Sequence, residues 1–263
     1  MKRHKAILVF LVPFLALVFC ACQGNTWSQA QQSVQPVPVW TQAPLFAHVQ
    51  RGDLRALKEA LEAGADPNAV GPEGYSLVMQ AVLSKNKDIL KYLLNAGAKV
   101  DSSGSESIVV AATHANDLEL VSLVVEAGAP VNRKSESQVL ESPIVVATTY
   151  DNLIIMKYLL DHGADPDNPV VIGTTALHIA SAKGNLEMLD LLLAKGADVN
   201  RRDHYGRTPL MYACEKGKPQ SVEWLLEKGA DPSLLDAYGR DAARYAIEKA
   251  HSPEIAALCS GKK

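Results

Sequence analysis

Residues 201–233 read RRDHYGRTPLMYACEKGKPQSVEWLLEKGADPS. The preceding copy, 168–200, shows how such a unit works: Thr175, 33 residues before Thr208, can cap a helix, its hydroxyl taking an orphan backbone N–H. In that copy Leu177, Ile179 and Ala180 give the short helix an apolar face, and Gly184 ends it. Leu186, Leu189, Leu192 and Leu193 then recur at helical spacing on a second helix, and Gly196 follows as a left-handed helix stop. The polar, turn-rich stretch before Thr208 suits a protruding finger. Gly-Ala recurs at Gly64, Gly97, Gly128, Gly163, Gly196 and Gly229, at spacings of 33, 31, 35, 33 and 33 residues. The flanks recur too. An apolar pair or triplet stands before it, as in Leu93-Leu94 and Leu191-Leu192-Leu193. Asp-Pro or a near equivalent stands after it, as in Asp66-Pro67-Asn68 and Asp198-Val199-Asn200. Ala81, Ala112, Ala147, Ala180 and Ala213 each lie sixteen residues before a later Gly, where a small side chain lets two helices approach closely. One such unit cannot bury its own leucines, so the units must stack.

Thr208-Pro209-Leu210-Met211-Tyr212-Ala213 and Thr175-Ala176-Leu177-His178-Ile179-Ala180, with the weaker Ser142-Pro143-Ile144-Val145-Val146-Ala147, resemble the T-P-L-H-x-A pattern of the ankyrin repeat. The resemblance covers residues 43–259. It implies an all-α solenoid of about seven helix-turn-helix units with short β-hairpin fingers, at about 43–68, 69–101, 102–132, 133–167, 168–200, 201–233 and 234–259. The two end units are degraded, as expected where one side must face water. The third unit is two residues short and the fourth carries two extra in 133–138. Those changes are either drift in tolerant loops or adjustments of a binding side. His178 stands at the family's motif histidine, which implies a structural bond to the capping threonine of its own turn.

The first 22 residues, MKRHKAILVFLVPFLALVFCAC, are of a different kind. Lys2, Arg3 and Lys5 precede an unbroken apolar run, Ala6–Phe19, of 14 residues. That is too short for a membrane span of about 20 residues and right for a secretory signal. Ala21-Cys22 after the run resembles a bacterial lipoprotein signal, implying cleavage after residue 21 and lipidation of Cys22. Phe19 stands where leucine is usual. Cys20 as the processed residue, or an ordinary secretory signal, remain alternatives. Gln23 after Cys22, rather than Asp, fits outer-membrane sorting with the protein facing the periplasm or cell surface. Residues 22–42 are rich in Gln, Ser and Pro, and no charged residue lies between Lys5 and Arg51. They read as a flexible tether or as a strip packed on the first unit through Trp40.

Of the 263 residues, 48% are hydrophobic and 6% aromatic, and the formal net charge is −3. The apolar share argues for a packed body. The charge argues against nucleic-acid binding, which needs a basic surface. None of the seven histidines pairs with another at zinc-ligand spacing, and there is no HExxH, phosphate-binding Gly-rich loop or G-x-S-x-G elbow. No metal, no cofactor and no catalysis are therefore expected. Cys214 and Cys259 read as buried thiols, with a disulfide pinning the end of the array as the alternative in an oxidising compartment.

The expected activity is protein binding by a chain that is monomeric when free. In ankyrin-like stacks the finger tips and first helices line a concave face. The resemblance places Tyr75, Arg133, Lys134, Glu136, Tyr150, His204, Tyr205, Arg207, Tyr212, Tyr238 and Arg240 there. Tyr and Arg are common interface anchors, although Tyr-Gly-Arg at a finger is also good turn chemistry. Two roles compete. One is an immunity protein or inhibitor covering a toxic envelope enzyme such as a phospholipase. The other is a periplasmic scaffold or adaptor in envelope maintenance or oxidative-stress defence.

Overall fold

A computed structural model describes residues 42–100, 107–132, 142–170 and 172–260. The expected signal, Cys22 and all of the tether but Gln42, which begins the first helix, lie outside these residues, as do Arg133, Lys134 and Glu136. Fourteen helices among the described residues form seven antiparallel pairs. They are α1 (Gln42–Arg51) with α2 (Leu54–Glu62), α3 (Leu77–Leu83) with α4 (Lys87–Asn95), and α5 (Ile108–His114) with α6 (Leu118–Glu126). Then come α7 (Pro143–Thr149) with α8 (Leu153–Asp161), α9 (Ala176–Lys183) with α10 (Leu186–Ala194), α11 (Pro209–Glu215) with α12 (Pro219–Glu227), and α13 (Ala242–Glu248) with α14 (Pro253–Cys259). First helices stack on first helices from α1 to α13, and second helices on second helices from α4 to α14.

The recurrent Gly-Ala has a specific geometry. After α2, Gly64 takes φ +95° and its N–H bonds the Leu61 carbonyl at 3.0 Å, while Ala65 N–H bonds the Ala60 carbonyl at 3.0 Å. This 6→1, 5→2 pair needs a left-handed residue, which Gly adopts freely. The following Ala turns inward and is buried in all six copies. The five alanines singled out on the first helices are at most 1% exposed, consistent with close helix approach. Asn68, Asn132 and Asn200 tie one unit to the next. Asn200 Oδ1, for example, accepts the Asp231 N–H at 2.8 Å, and its amide donates to the Gly229 carbonyl.

The fingers differ in detail from the expected hairpins. Among the described residues the only β-type pairing is an isolated bridge, Val70 with Ser76. The later fingers among the described residues are tight turns closed by two backbone bonds, such as Asp203 N–H to the Arg207 carbonyl and Gly206 N–H to the Asp203 carbonyl, both at 2.9 Å, and Asp236 N–H to the Arg240 carbonyl at 2.9 Å with Gly239 N–H to the Asp236 carbonyl at 3.1 Å. The reason is local competition. Asp203 Oδ1 accepts the N–H groups of Tyr205 and Arg207, and Asp236 Oδ1 those of Tyr238 and Arg240, removing donors a strand ladder would use. Adjacent fingers are joined by His204 N–H to the Ile172 carbonyl and Ala237 N–H to the Tyr205 carbonyl.

Leucine, isoleucine and valine from both helix layers fill the core, with Leu57, Leu93, Leu120, Leu159, Leu177 and Leu192 fully buried. Buried apolar residues form one cluster from Leu45 to Ala197 and a second from Leu210 to Cys259, and Trp224 packs against both. His178 sits beside this junction, as expected of a structural histidine. Its ring is fully buried. Nδ1 bonds the Thr175 hydroxyl at 2.9 Å and accepts the Thr175 N–H at 3.1 Å. Nε2 donates to the Arg207 carbonyl of the next unit at 3.1 Å. Burial holds its pKa down, to about 4, so the ring is neutral with its proton on Nε2.

Candidate protein-binding face

Two copies of one side-chain arrangement, 33 residues apart, organise the fingers of the last two units. In the first, Arg207 Nε donates to Asp203 Oδ2 at 2.9 Å, and Tyr212 Oη donates to the same oxygen at 2.9 Å. In the second, Arg240 Nε and Nη2 donate to Asp236 Oδ2 at 2.9 and 2.8 Å, and Tyr245 Oη donates to it at 2.8 Å. Both aspartate side chains are fully buried. Burial raises the Asp236 carboxyl, but the bonds from the backbone and side chain of Arg240, from Tyr245 and from the Tyr238 N–H outweigh it and hold it at about 2. Burial pushes the Tyr212 hydroxyl up, to about 12.

Each guanidinium also lies over two rings. Arg207 is 5.5 Å from the Tyr205 centroid and 4.4 Å from that of Tyr212. Arg240 is 5.1 Å from Tyr238 and 4.6 Å from Tyr245. Arg207 and Arg240 thus fasten the turn, and the finger tyrosines are the side chains left to water. Tyr205 is 45% and Tyr238 70% exposed. Between the two fingers is a cavity of about 330 Å³ lined by Tyr205, Arg207, Glu215, Tyr238, Arg240, Tyr245 and Lys249.

The structure brings Tyr205, Arg207, Tyr238 and Arg240 together, with Tyr212 behind them. His204 is exposed on the same finger as Tyr205. Tyr150 is elsewhere, at the end of α7, where its hydroxyl lies 3.2 Å from His114 Nδ1. Tyr75 is half-buried and lines a separate 190 Å³ depression with Phe46 and Pro72. Tyr245 and Lys249 were not anticipated. A signal for Tyr245 was present, since Asp-x-Tyr-Gly-Arg followed five residues later by Tyr occurs at both 203–212 and 236–245. No group of three or more His, Cys, Asp or Glu side chains that could hold a metal occurs among the described residues. Nor is any described helix long and apolar enough to cross a membrane.

The family described as ankyrin repeats, in three copies, matches residues 45–135, 108–203, 144–236 and 202–262. The chain belongs to the ankyrin-repeat family. Ankyrin repeats are protein–protein interaction modules, so a protein partner of unspecified identity is implied. The chain is 31% identical over 148 residues to the nuclear factor NF-kappa-B p105 subunit of Gallus gallus, a match spanning 54% of this chain and 15% of that one. It is 30% identical over 140 residues to ZDHHC13 of Danio rerio, spanning 52% of this chain and 22% of that one. It thus covers less than a quarter of either relative. Among solved structures, the ankyrin repeat domain of Bcl-3, a member of the IkappaB family, superposes with a TM-score of 0.70. That match covers 83% of this chain and 98% of the other at 21% identity, and at that identity it shows the fold alone.

Proposed function

We propose that this ankyrin-repeat protein binds a protein partner in the bacterial envelope through the finger face of its last two units. The observation that carries the reading is the cavity between two exposed tyrosines, each held against an Asp–Arg–Tyr lock built on a buried aspartate. Such a surface is ordered before the partner arrives, which reduces the entropy cost of binding. Large rings at the centre of a contact suit hot-spot chemistry.

The envelope location rests on the Lys2–Phe19 signal pattern and on lipidation at Cys22. The role proposed is that of an immunity protein or inhibitor, covering a toxic envelope enzyme such as a phospholipase. An inhibitor gains most from a rigid surface that needs no rearrangement. No catalytic role and no cofactor are assigned to the chain.

The test is capture of partners by the tagged, anchored protein from its native envelope, identified by mass spectrometry. One stoichiometric hydrolase, lost with the Tyr205→Ala/Tyr238→Ala double variant and inhibited by the wild-type protein, is the expected result. Several envelope proteins in sub-stoichiometric amounts, unaffected by that variant, would favour the scaffold role instead. Labelling with a fatty-acid analogue tests the anchor, and label retained in Cys22→Ala would refute it.

A further inference from the structure

Cys214 and Cys259 are 45 residues apart, and their Sγ atoms lie 3.2 Å from each other. Cys214, on α11, is fully buried, and Cys259, the last residue of α14, is 5% exposed. Equivalent positions in three earlier units show that this is a departure from the repeat. Thr113, Thr148 and Ser181 each direct a hydroxyl to the carbonyl four residues back in their own helix, at 2.7 Å. Cys214 stands in the same place and is instead in contact with the other sulfur. The last described helix is also two residues shorter than α12 and ends on the cysteine that meets Cys214. The hydrogen bond between the sulfurs and their burial push the Cys214 thiol well above its ordinary value.

We propose that Cys214 and Cys259 form a disulfide that fastens α14 to α11. A disulfide bond is about 2.05 Å long, so the sulfurs need to approach by only about 1 Å. The oxidant is a disulfide-bearing reagent, either a small-molecule disulfide or a protein disulfide of an oxidising compartment. Cys259 is reached first, because it lies in the last turn of α14, where helix ends fray, and is the less buried of the two. Its thiolate attacks one sulfur of the reagent, forming a mixed disulfide and releasing the other half as a thiolate. Cys214, having lost its proton, then attacks the Cys259 sulfur, and the second half leaves as a thiolate. Two protein thiols are oxidised and one reagent disulfide is reduced to two thiols. The closed loop contains the Asp236–Arg240 finger, so the bond would also restrain one wall of the cavity. The crosslink itself stands on the sulfur geometry, and only this last consequence rests on the proposed binding site.

The experiment uses the purified, folded full chain, reduced and then equilibrated with oxidised glutathione without denaturant. Remaining thiols are alkylated in acid and denaturant, and tryptic peptides 208–216 and 250–262 are examined by mass spectrometry. The expected result is a single crosslinked species of these two peptides. The melting temperature should rise by roughly 5–15 °C, given the loop length, and fall back on reduction. Cys259→Ala should show no oxidant-dependent rise, and Cys214→Ala provides the same control from the other side. Both peptides fully alkylated, glutathione trapped on Cys259 alone, or identical melting of the oxidised and reduced forms would overturn the proposal. Loss of partner binding in the Tyr205→Ala/Tyr238→Ala variant does not bear on it.

Discussion

His178 makes the stability of this array depend on pH in a window that can be calculated. Its ordinary pKa is 6.5 and burial lowers it to about 4 in the folded chain. Between those values the unfolded chain binds a proton that the folded chain does not. Stability is therefore full above pH 6.5, falls as pH drops, and has lost this contribution entirely below about pH 4. The whole shift corresponds to about 3 kcal/mol. At pH 5 the loss is about 2 kcal/mol, or roughly 4–8 °C in melting temperature for a chain of this size. Asp236, held at about 2, adds its own loss only in more acid solution. The physical cause is specific. A proton on Nδ1 would face the Thr175 N–H, which is itself a donor, with no water to solvate the charge. Thermal or urea unfolding at pH 7.5, 6 and 5 measures the slope. His178→Gln is the control, because glutamine at this helix position can still accept the Thr175 N–H but does not titrate. It should flatten the dependence between pH 7.5 and 5. Equal slopes for the wild type and the variant would refute the assignment of this window to His178.

Leu192→Ala should destabilise by about 2–5 kcal/mol, because Leu192 is fully buried between stacked helices; urea denaturation measures it. Gly173→Ala should cost about 1–3 kcal/mol by the same assay. Gly173 has φ +79°, and a Cβ there would lie 2.8 Å from the His204 backbone nitrogen of the next finger. Arg240→Ala should destabilise by about 1–3 kcal/mol by leaving the buried Asp236 carboxylate short of its partner. Tyr238→Ala, at a 70% exposed side chain, should stay within about 0.5 kcal/mol of wild type. Circular dichroism melts of that pair separate the side chain that fastens the finger from the one left to meet a partner.

The repeat was legible because it is local. Gly-Ala at a near-constant spacing reports a left-handed stop after each second helix, and that stop depends on a few neighbouring residues. Alternation of capping residues with leucine at helical spacing marks two helices, and their inability to bury that face alone requires stacking. The motif histidine was legible as structural for a related reason, since its bond to Thr175 lies within one turn.

The candidate site was legible only in part. Tyr205, Arg207, Tyr238 and Arg240 could be named, but the sequence treats Arg and Tyr at a finger as equivalent surface residues. Their roles separate only when Asp203 and Asp236 are seen buried beneath them, binding the guanidinium from below and leaving the tyrosine ring outside. Tyr75 and Tyr150 share the residue type but lie apart from this cavity.

The sequence by itself determined the repeat length, the two helices of each unit and the stacked core, because each follows from contacts within about one unit. The tertiary structure alone decided which side chains of neighbouring units share a space. It joined Tyr205 to Tyr238, carried His178 to the Arg207 carbonyl and brought Cys214 to Cys259. Such pairings depend on the rise and rotation from one unit to the next, and no single unit's sequence encodes the surface that its neighbour presents.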